Sequence, residues 1–235
     1  MKLFARRSVL GPTLAGWLMI LLVTGSLFTV FVRGVGHFLA VDAPLGRGVV
    51  VVEGWLSQTQ LKQVASHLEA SSYDVVLTSG GPIKDWYTNH PTYADRTADE
   101  LMKMGIPARA VPSPASAQNR TFLDAVIVRN WLQERGISVT SLDVVTGSTH
   151  ARRSRHLYRL AFPNEVDIGV AAIAPDNYSV ENWWTTSDGA KGVGIEFIGW
   201  VRVTCCFFPP EPGSHEEMWG VYDTGDLTRT STSER

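Results

Sequence analysis

The sequence has only two cysteines, and Cys205 and Cys206 are neighbours. Adjacent cysteines cannot tie separate elements together, so a disulfide framework is excluded. No Cys-x-x-Cys or Cys/His ligand spacing is present either, which removes a structural zinc protein. Net charge is almost absent: 21 basic against 23 acidic side chains leave −2 and a pI near 6.3. Without a global positive field to gather a phosphate backbone, nucleic acid is set aside as a partner. Charge of either sign is sparse, 19% against the ~25% usual for soluble domains, so part of the chain is expected out of water. There is no internal repeat. The Gly-Lys-Ser/Thr of a P-loop, a G-x-G-x-x-G dinucleotide turn and a Gly-x-Ser-x-Gly elbow are all missing, which leaves a serine-hydrolase reading little to stand on.

The shortage of charge is concentrated at the start. From Ser8 to Val32 no residue is charged, and Leu, Val, Ile and Phe dominate. That stretch exceeds the ~20 apolar residues that cross a bilayer core as a helix. Lys2, Arg6 and Arg7 precede it and only Arg33 follows closely. The positive-inside bias therefore predicts a single-pass anchor with the amino terminus in the cytoplasm and the domain extracytoplasmic. A cleaved signal peptide is the rival, although such peptides carry apolar regions of ~7–15 residues and a small-residue cleavage site that is missing here. At the other end, residues 209–235 open Pro-Pro-Glu-Pro-Gly and close Thr-Ser-Thr-Ser-Glu-Arg. Composition predicts a disordered tail whose removal leaves the fold intact. The expected division is an anchor over residues 1–40, an α/β domain over 41–208 and the tail.

Within the domain, apolar runs alternate with helical stripes. Strands are expected near residues 48–52, 74–78, 109–111, 141–146 and 166–171. Helices are expected at 56–70, 92–104, 120–135 and 150–161. Residues 183–208 read as mostly helical but interrupted by glycines. This βα alternation predicts a Rossmann-like, mainly parallel sheet flanked by helices, with binding at the carboxyl ends of the strands.

Four segments fall at those ends. Ser79-Gly80-Gly81 follows the second strand, where glycines let backbone N–H groups turn toward a phosphate and a hydroxyl donates beside them. A tight turn is the plainer reading. Thr146 to Arg153 follows the fourth strand and opens a helix; His150, Arg152 and Arg153 crowd positive charge onto a helix amino terminus, which favours an anion. Asn119-Arg120-Thr121 opens another helix, where Arg120 can clamp an anion or Asn119 can simply cap. Glu53 ends the first, apparently buried strand. A carboxylate there is costly unless paired, with Arg120 or Arg153 as expected partners, and its roles range from general base to metal ligand to half of an ion pair. Nothing in the residues names a metal or cofactor.

Val-Val-Val-Glu53-Gly54-Trp55, Thr78-Ser-Gly-Gly-Pro82, Tyr93-Ala with Met104-Gly-Ile-Pro107, Asn119-Arg-Thr-Phe-Leu-Asp-Ala125 and Thr146 to Arg153 occur in that order. Together, over about residues 48–175, they resemble the bacterial YdcF/SanA/ElyC-like family. The resemblance implies a Rossmann-like domain in the periplasm, often behind one amino-terminal helix in a bacterial inner (cytoplasmic) membrane. It implies links to envelope integrity, peptidoglycan or lipid-carrier metabolism and vancomycin tolerance for some members, and S-adenosylmethionine binding for another. Glu53-Gly-Trp departs from the glycine-rich turn of many members and shifts weight toward acid/base or metal chemistry.

The expectation drawn from all this is a membrane-anchored protein that binds a small anionic, phosphorylated envelope metabolite and hydrolyses or transfers it. Ser79, Gly80, Gly81, Arg120, Thr121 and Arg153 would bind the ligand, and Glu53 and His150 would carry the chemistry. A non-catalytic sensor of envelope assembly using the same pocket is the alternative.

Overall fold

The computed structural model describes residues 11–83, 89–114 and 120–218. Lys2, Arg6 and Arg7, the Asn119 cap and residues 219–235 of the expected tail lie outside the described residues.

Helix α1 (Leu14–Leu39) is capped by the Thr13 hydroxyl, which accepts from the Gly16 N–H. It is long and apolar enough to cross a membrane. Its side chains from Leu14 to Phe31 are largely exposed, and only its last turns, at Val35, Gly36 and Leu39, are buried.

The chain then alternates strands and helices: β1 (Arg47–Glu53), α2 (Gln58–Glu69), β2 (Ser72–Gly80), α3 (Tyr93–Lys103), β3 (Arg109–Pro112), α4 (Arg120–Glu134), β4 (Ser141–Gly147), α5 (Ala151–Ala161) and β5 (Asp167–Ile173). All five strands pair in parallel in the order β3-β2-β1-β4-β5. The four valines of β1 show why a near-continuous apolar run is needed there. Alternate side chains face opposite sides of a strand, so Val49 and Val51 join a core with Phe122 and Val126 of α4 and Leu157 and Tyr158 of α5. Val50 and Val52 join another with Leu61 and Val64 of α2 and Leu101 of α3. Helices cover both faces. The order reverses between β1 and β4, and ligands of open α/β sheets bind outside the strand ends at such a switch point.

Asp143 sits in mid-strand on β4 without exposure. It accepts the N–H groups of Leu45 (2.9 and 2.8 Å) and Gly46 (2.8 Å) and the Tyr73 hydroxyl (2.7 Å). Burial and then this carboxylate raise the Tyr73 pKa above the usual tyrosine range. The link between α1 and β1 is also held by an Ala43–Val170 bridge and by the Asp42 carboxylate, which accepts from Ala172 N–H at 3.0 Å.

After β5, a 3₁₀ segment (Val180–Thr185) leads into α6 (Ser187–Cys205). The glycines that suggested interruption do not break α6. Gly189 and Gly199 serve close packing, since a Cβ at Gly199 would stand 3.1 Å from Arg153 Nε, whereas a Cβ at Gly194 would meet nothing within 4 Å. Cys205 and Cys206 are bonded to each other and so cross-link no separate elements.

Residues 209–218, the start of the expected tail, touch the domain. Glu217 is buried against Arg129 of α4, with Oε2 2.7 Å from Nη2 and Oε1 2.9 Å from Nη1. Nη1 also donates to the Ala161 carbonyl at 2.7 Å. Burial raises the Glu217 pKa, and the Arg129 and Gly213 hydrogen bonds outweigh it, for a net lowering. One carboxylate and the partly buried Met218, which packs against the core beneath α4 and α5, hold the segment. Removing one partner of a buried ion pair typically costs ~3–5 kcal/mol, because it strands the other charge. Deleting residues 209–235, or Glu217→Gln alone, should therefore lower the denaturant midpoint of the full chain clearly. The double change Arg129→Met with Glu217→Leu should recover most of the loss. An unchanged midpoint on truncation would show that the tail carries no stability.

Candidate functional site

The carboxyl ends of β1, β2 and β4 bring Glu53, Ser79 and Thr146 to one edge, with Glu53 and Ser79 directly paired in register. Glu53 is 3% exposed, and its partners are not the arginines expected from sequence. Its Oε2 accepts from Thr146 Oγ1 at 2.5 Å and from Trp55 Nε1 at 2.8 Å, and its Oε1 accepts from Ser154 Oγ at 2.7 Å. Neutral donors at fixed strand and helix positions satisfy the carboxylate more locally than a long arginine side chain would. Trp55 reaches back because position 147 is glycine: a Cβ there would lie 2.6 Å from the indole ring.

Residues Ser148–His150 form a 3₁₀ turn, so His150 precedes α5 rather than lying in its first turn. The crowd of basic groups there is resolved from within the protein. His150 Nδ1 lies 2.9 Å from Glu196 Oε2, and Arg153 donates to both Glu196 oxygens, from Nε at 2.9 Å and Nη2 at 3.1 Å. The expected anion is therefore Glu196 of α6, and Arg153 is a paired cation. Arg152 turns away, donating to the Phe38 carbonyl and covering the Phe38 ring at 3.9 Å. Arg153 Nη2 is also 2.9 Å from His150 Nδ1. One nitrogen cannot both donate to Glu196 and accept from Arg153. The charge-assisted bond to Glu196 is the stronger, which puts a proton on Nδ1.

His150 Nε2 lies 3.6 Å from Glu53 Oε2, outside hydrogen-bond range, and the ring meets Trp55 edge to face at 5.4 Å. It is a buried polar atom without a hydrogen-bond partner, and so are Ser79 Oγ, Ser148 Oγ and Tyr158 Oη. The Tyr158 and Ser79 hydroxyls lie near one another without meeting hydrogen-bond geometry. Burial, reinforced by Glu53 and Asp124, holds the tyrosine pKa well above its usual value. Four such atoms at one sheet edge are unusual, since buried polar groups are nearly always satisfied.

Of the remaining candidates Gly80 is buried, and the others are half-buried or exposed. Arg120 is exposed and Thr121 half-buried at the start of α4. Gly80 has φ 151°, and a Cβ there would stand 2.8 Å from that of Tyr93. A Cβ at Gly81 would only touch the Ser113 carbonyl at 3.5 Å. Among the described residues no group of three or more His, Cys, Asp or Glu side chains is arranged to hold a metal ion.

The residues that sequence reasoning missed are Glu196, Ser154 and Tyr158; Thr146 and Ser148 lie in the Thr146–Arg153 segment but were not singled out in it. Ser154 had a signal, one turn after His150 on the buried stripe of α5. Glu196 had none, because its partner contact crosses the fold.

Two carboxyls of the site titrate abnormally. Burial would raise the Glu196 pKa, but the hydrogen bonds and charges of His150 and Arg153 override it and hold it at about 2. Asp124 is only half-buried as a residue, yet its carboxyl is enclosed. Burial lifts its pKa to about 7, against a hydrogen bond from Ser113 and with help from the Glu53 charge. The signs are opposite. A depressed folded-state pKa gives Glu196 stability that is present above its ordinary 4.5 and lost as pH falls toward about 2. A raised one makes Asp124 cost stability as pH climbs from 3.8 to about 7. Denaturation across pH should show Glu196→Gln flattening the acid limb, and Asp124→Asn stabilising the protein more at pH 8 than at pH 4. Parallel pH profiles for the variants and the wild type would refute both assignments.

No family model, no curated protein and no solved structure matches the chain.

Proposed function

We propose that the chain is a membrane-anchored α/β protein whose site binds a small anionic ligand, a phosphorylated envelope metabolite, and supports its hydrolysis or transfer. The observation that carries the reading is the set of buried, unpartnered polar atoms: Ser79 Oγ, Ser148 Oγ, Tyr158 Oη and His150 Nε2. Three hydroxyls and an imidazole nitrogen match the oxygens of a phosphate or a similar oxyanion, and a ligand there would give each its missing partner. His150, held through Nδ1 by Glu196, is the acid–base group, taking or returning a proton at Nε2. Glu53 holds the ends of β1 and β4 and the start of α5 in place, since its hydrogen bonds leave neither oxygen free. Among the described residues, Arg120, exposed at the start of α4, is a cation available to meet the ligand's charge. The basic residues before α1 support an extracytoplasmic domain. The resemblance to the YdcF/SanA/ElyC-like family supports an envelope role.

One observation favours the alternative of a non-catalytic sensor. Arg153 and Glu196 cancel one another and Glu53 is fully engaged, as in a network built to hold shape.

A phosphatase and diphosphatase screen on the full chain in detergent, covering polyprenyl phosphates and nucleotide sugars with and without divalent metal, separates the two readings. General acid–base groups contribute ~10²–10⁴-fold, so His150→Gln should cut turnover by about that factor. Ser79→Ala and Ser148→Ala should chiefly weaken binding. Saturable binding without turnover would establish the sensor, and neither binding nor turnover across the panel would defeat both readings.

A further inference from the structure

The outward face of α6 has no role in the site. Ile195 and Ile198 are 65% and 69% exposed, and Lys191 and Arg202, also exposed, stand one turn before and one turn after them. The spacings of four, three and four residues put all four on one stripe of the helix. The stripe has apolar residues in the middle and a cation at each end.

Its position relative to α1 is fixed. Phe197 meets Phe31 edge to face at 5.3 Å, Trp200 meets Phe38 at 4.7 Å, and Trp183 Nε1 donates to the Val32 carbonyl at 2.9 Å. These contacts fall where the uncharged run of α1 ends at Arg33, the level at which a membrane-crossing helix leaves the hydrocarbon. Trp183 and the partly exposed Trp184 pack together at the same level, where aromatic belts gather.

We infer that α6 is an interfacial helix that rests its Lys191–Ile195–Ile198–Arg202 stripe in the headgroup layer of an anionic bilayer. This rests on the reading of α1 as a membrane span. The two isoleucines enter the boundary between headgroups and acyl chains, and the flanking cations extend to lipid phosphates. Charge complementarity selects a lipid surface over a second copy of the chain, because two such stripes facing each other antiparallel would bring Lys191 and Arg202 of both copies together. The opposite side of α6 carries Glu196, which holds His150. One helix, roughly 10–12 Å across, therefore separates the site from the membrane surface.

The test uses the full chain in nanodiscs of phosphatidylcholine with phosphatidylglycerol, in a Cys205→Ser, Cys206→Ser background. An environment-sensitive fluorophore is attached in turn at Ile195→Cys, Ile198→Cys, Glu69→Cys on α2 and Leu18→Cys within α1. Quenching by spin-labelled lipid and by aqueous iodide is read at each. Positions 195 and 198 should be quenched by the lipid-borne label and protected from iodide several-fold relative to 69. Removing the anionic lipid should reduce that protection. Iodide access at 195 and 198 equal to that at 69, with position 18 still lipid-quenched, would overturn the interfacial helix and leave the anchor standing. Iodide access at position 18 as well would overturn the anchor and the inference together. Concentration-dependent cross-linking between Ile198→Cys copies, with no lipid quenching, would assign the stripe to self-association instead.

Discussion

The buried carboxylate of Glu53 is the constraint around which the sheet edge is organised. A carboxylate removed from water costs several kcal/mol unless its lone pairs are met. Here they are met by Trp55, Thr146 and Ser154, which reach it from beyond β1, from β4 and from α5. Several features answer to that arrangement. Position 147 carries no side chain, so that the indole of Trp55 can lie over it. The turn after β4 is a tight 3₁₀ one, and it places His150 Nε2 beside Glu53 without bonding to it. The imidazole, oriented from the other side by Glu196, is left with one nitrogen unoccupied.

The cations near the site illustrate how counting charges differs from placing them. From the sequence, His150, Arg152 and Arg153 look like three groups awaiting an anion. In the fold, Arg153 is neutralised by Glu196 and Arg152 is committed to Phe38 at the base of α1. What remains open is a set of neutral hydroxyls and an imidazole nitrogen. Such a set offers hydrogen bonds of fixed geometry rather than net charge.

Much of the fold was legible because it is written locally. The four valines before Glu53 act within a few residues of themselves, and a strand follows. The edge position of Glu53 and Ser79 followed from parallel topology alone. What was not legible acts across the fold. Glu196 lies on a helix whose glycines suggest breaks, and only the approach of Arg153 to Gly199 explains why glycine is placed there. Glu217 sits in a segment whose composition reads as a tail, yet its single carboxylate meets an arginine on α4. Pattern reading averages over residues, and these two contacts depend on one side chain each.

The link between α1 and β1 has no slack. Asp42, Ala43, Leu45 and Gly46 are each fastened to the sheet, the last two by the buried carboxylate of Asp143. A protein on a flexible stalk tumbles and presents its cleft in every direction. If α1, which is long and apolar enough, crosses a bilayer, a domain joined to it this rigidly keeps only drift in the plane and rotation about the membrane normal. The sheet edge that carries Glu53 then sweeps a thin layer at constant height above that bilayer.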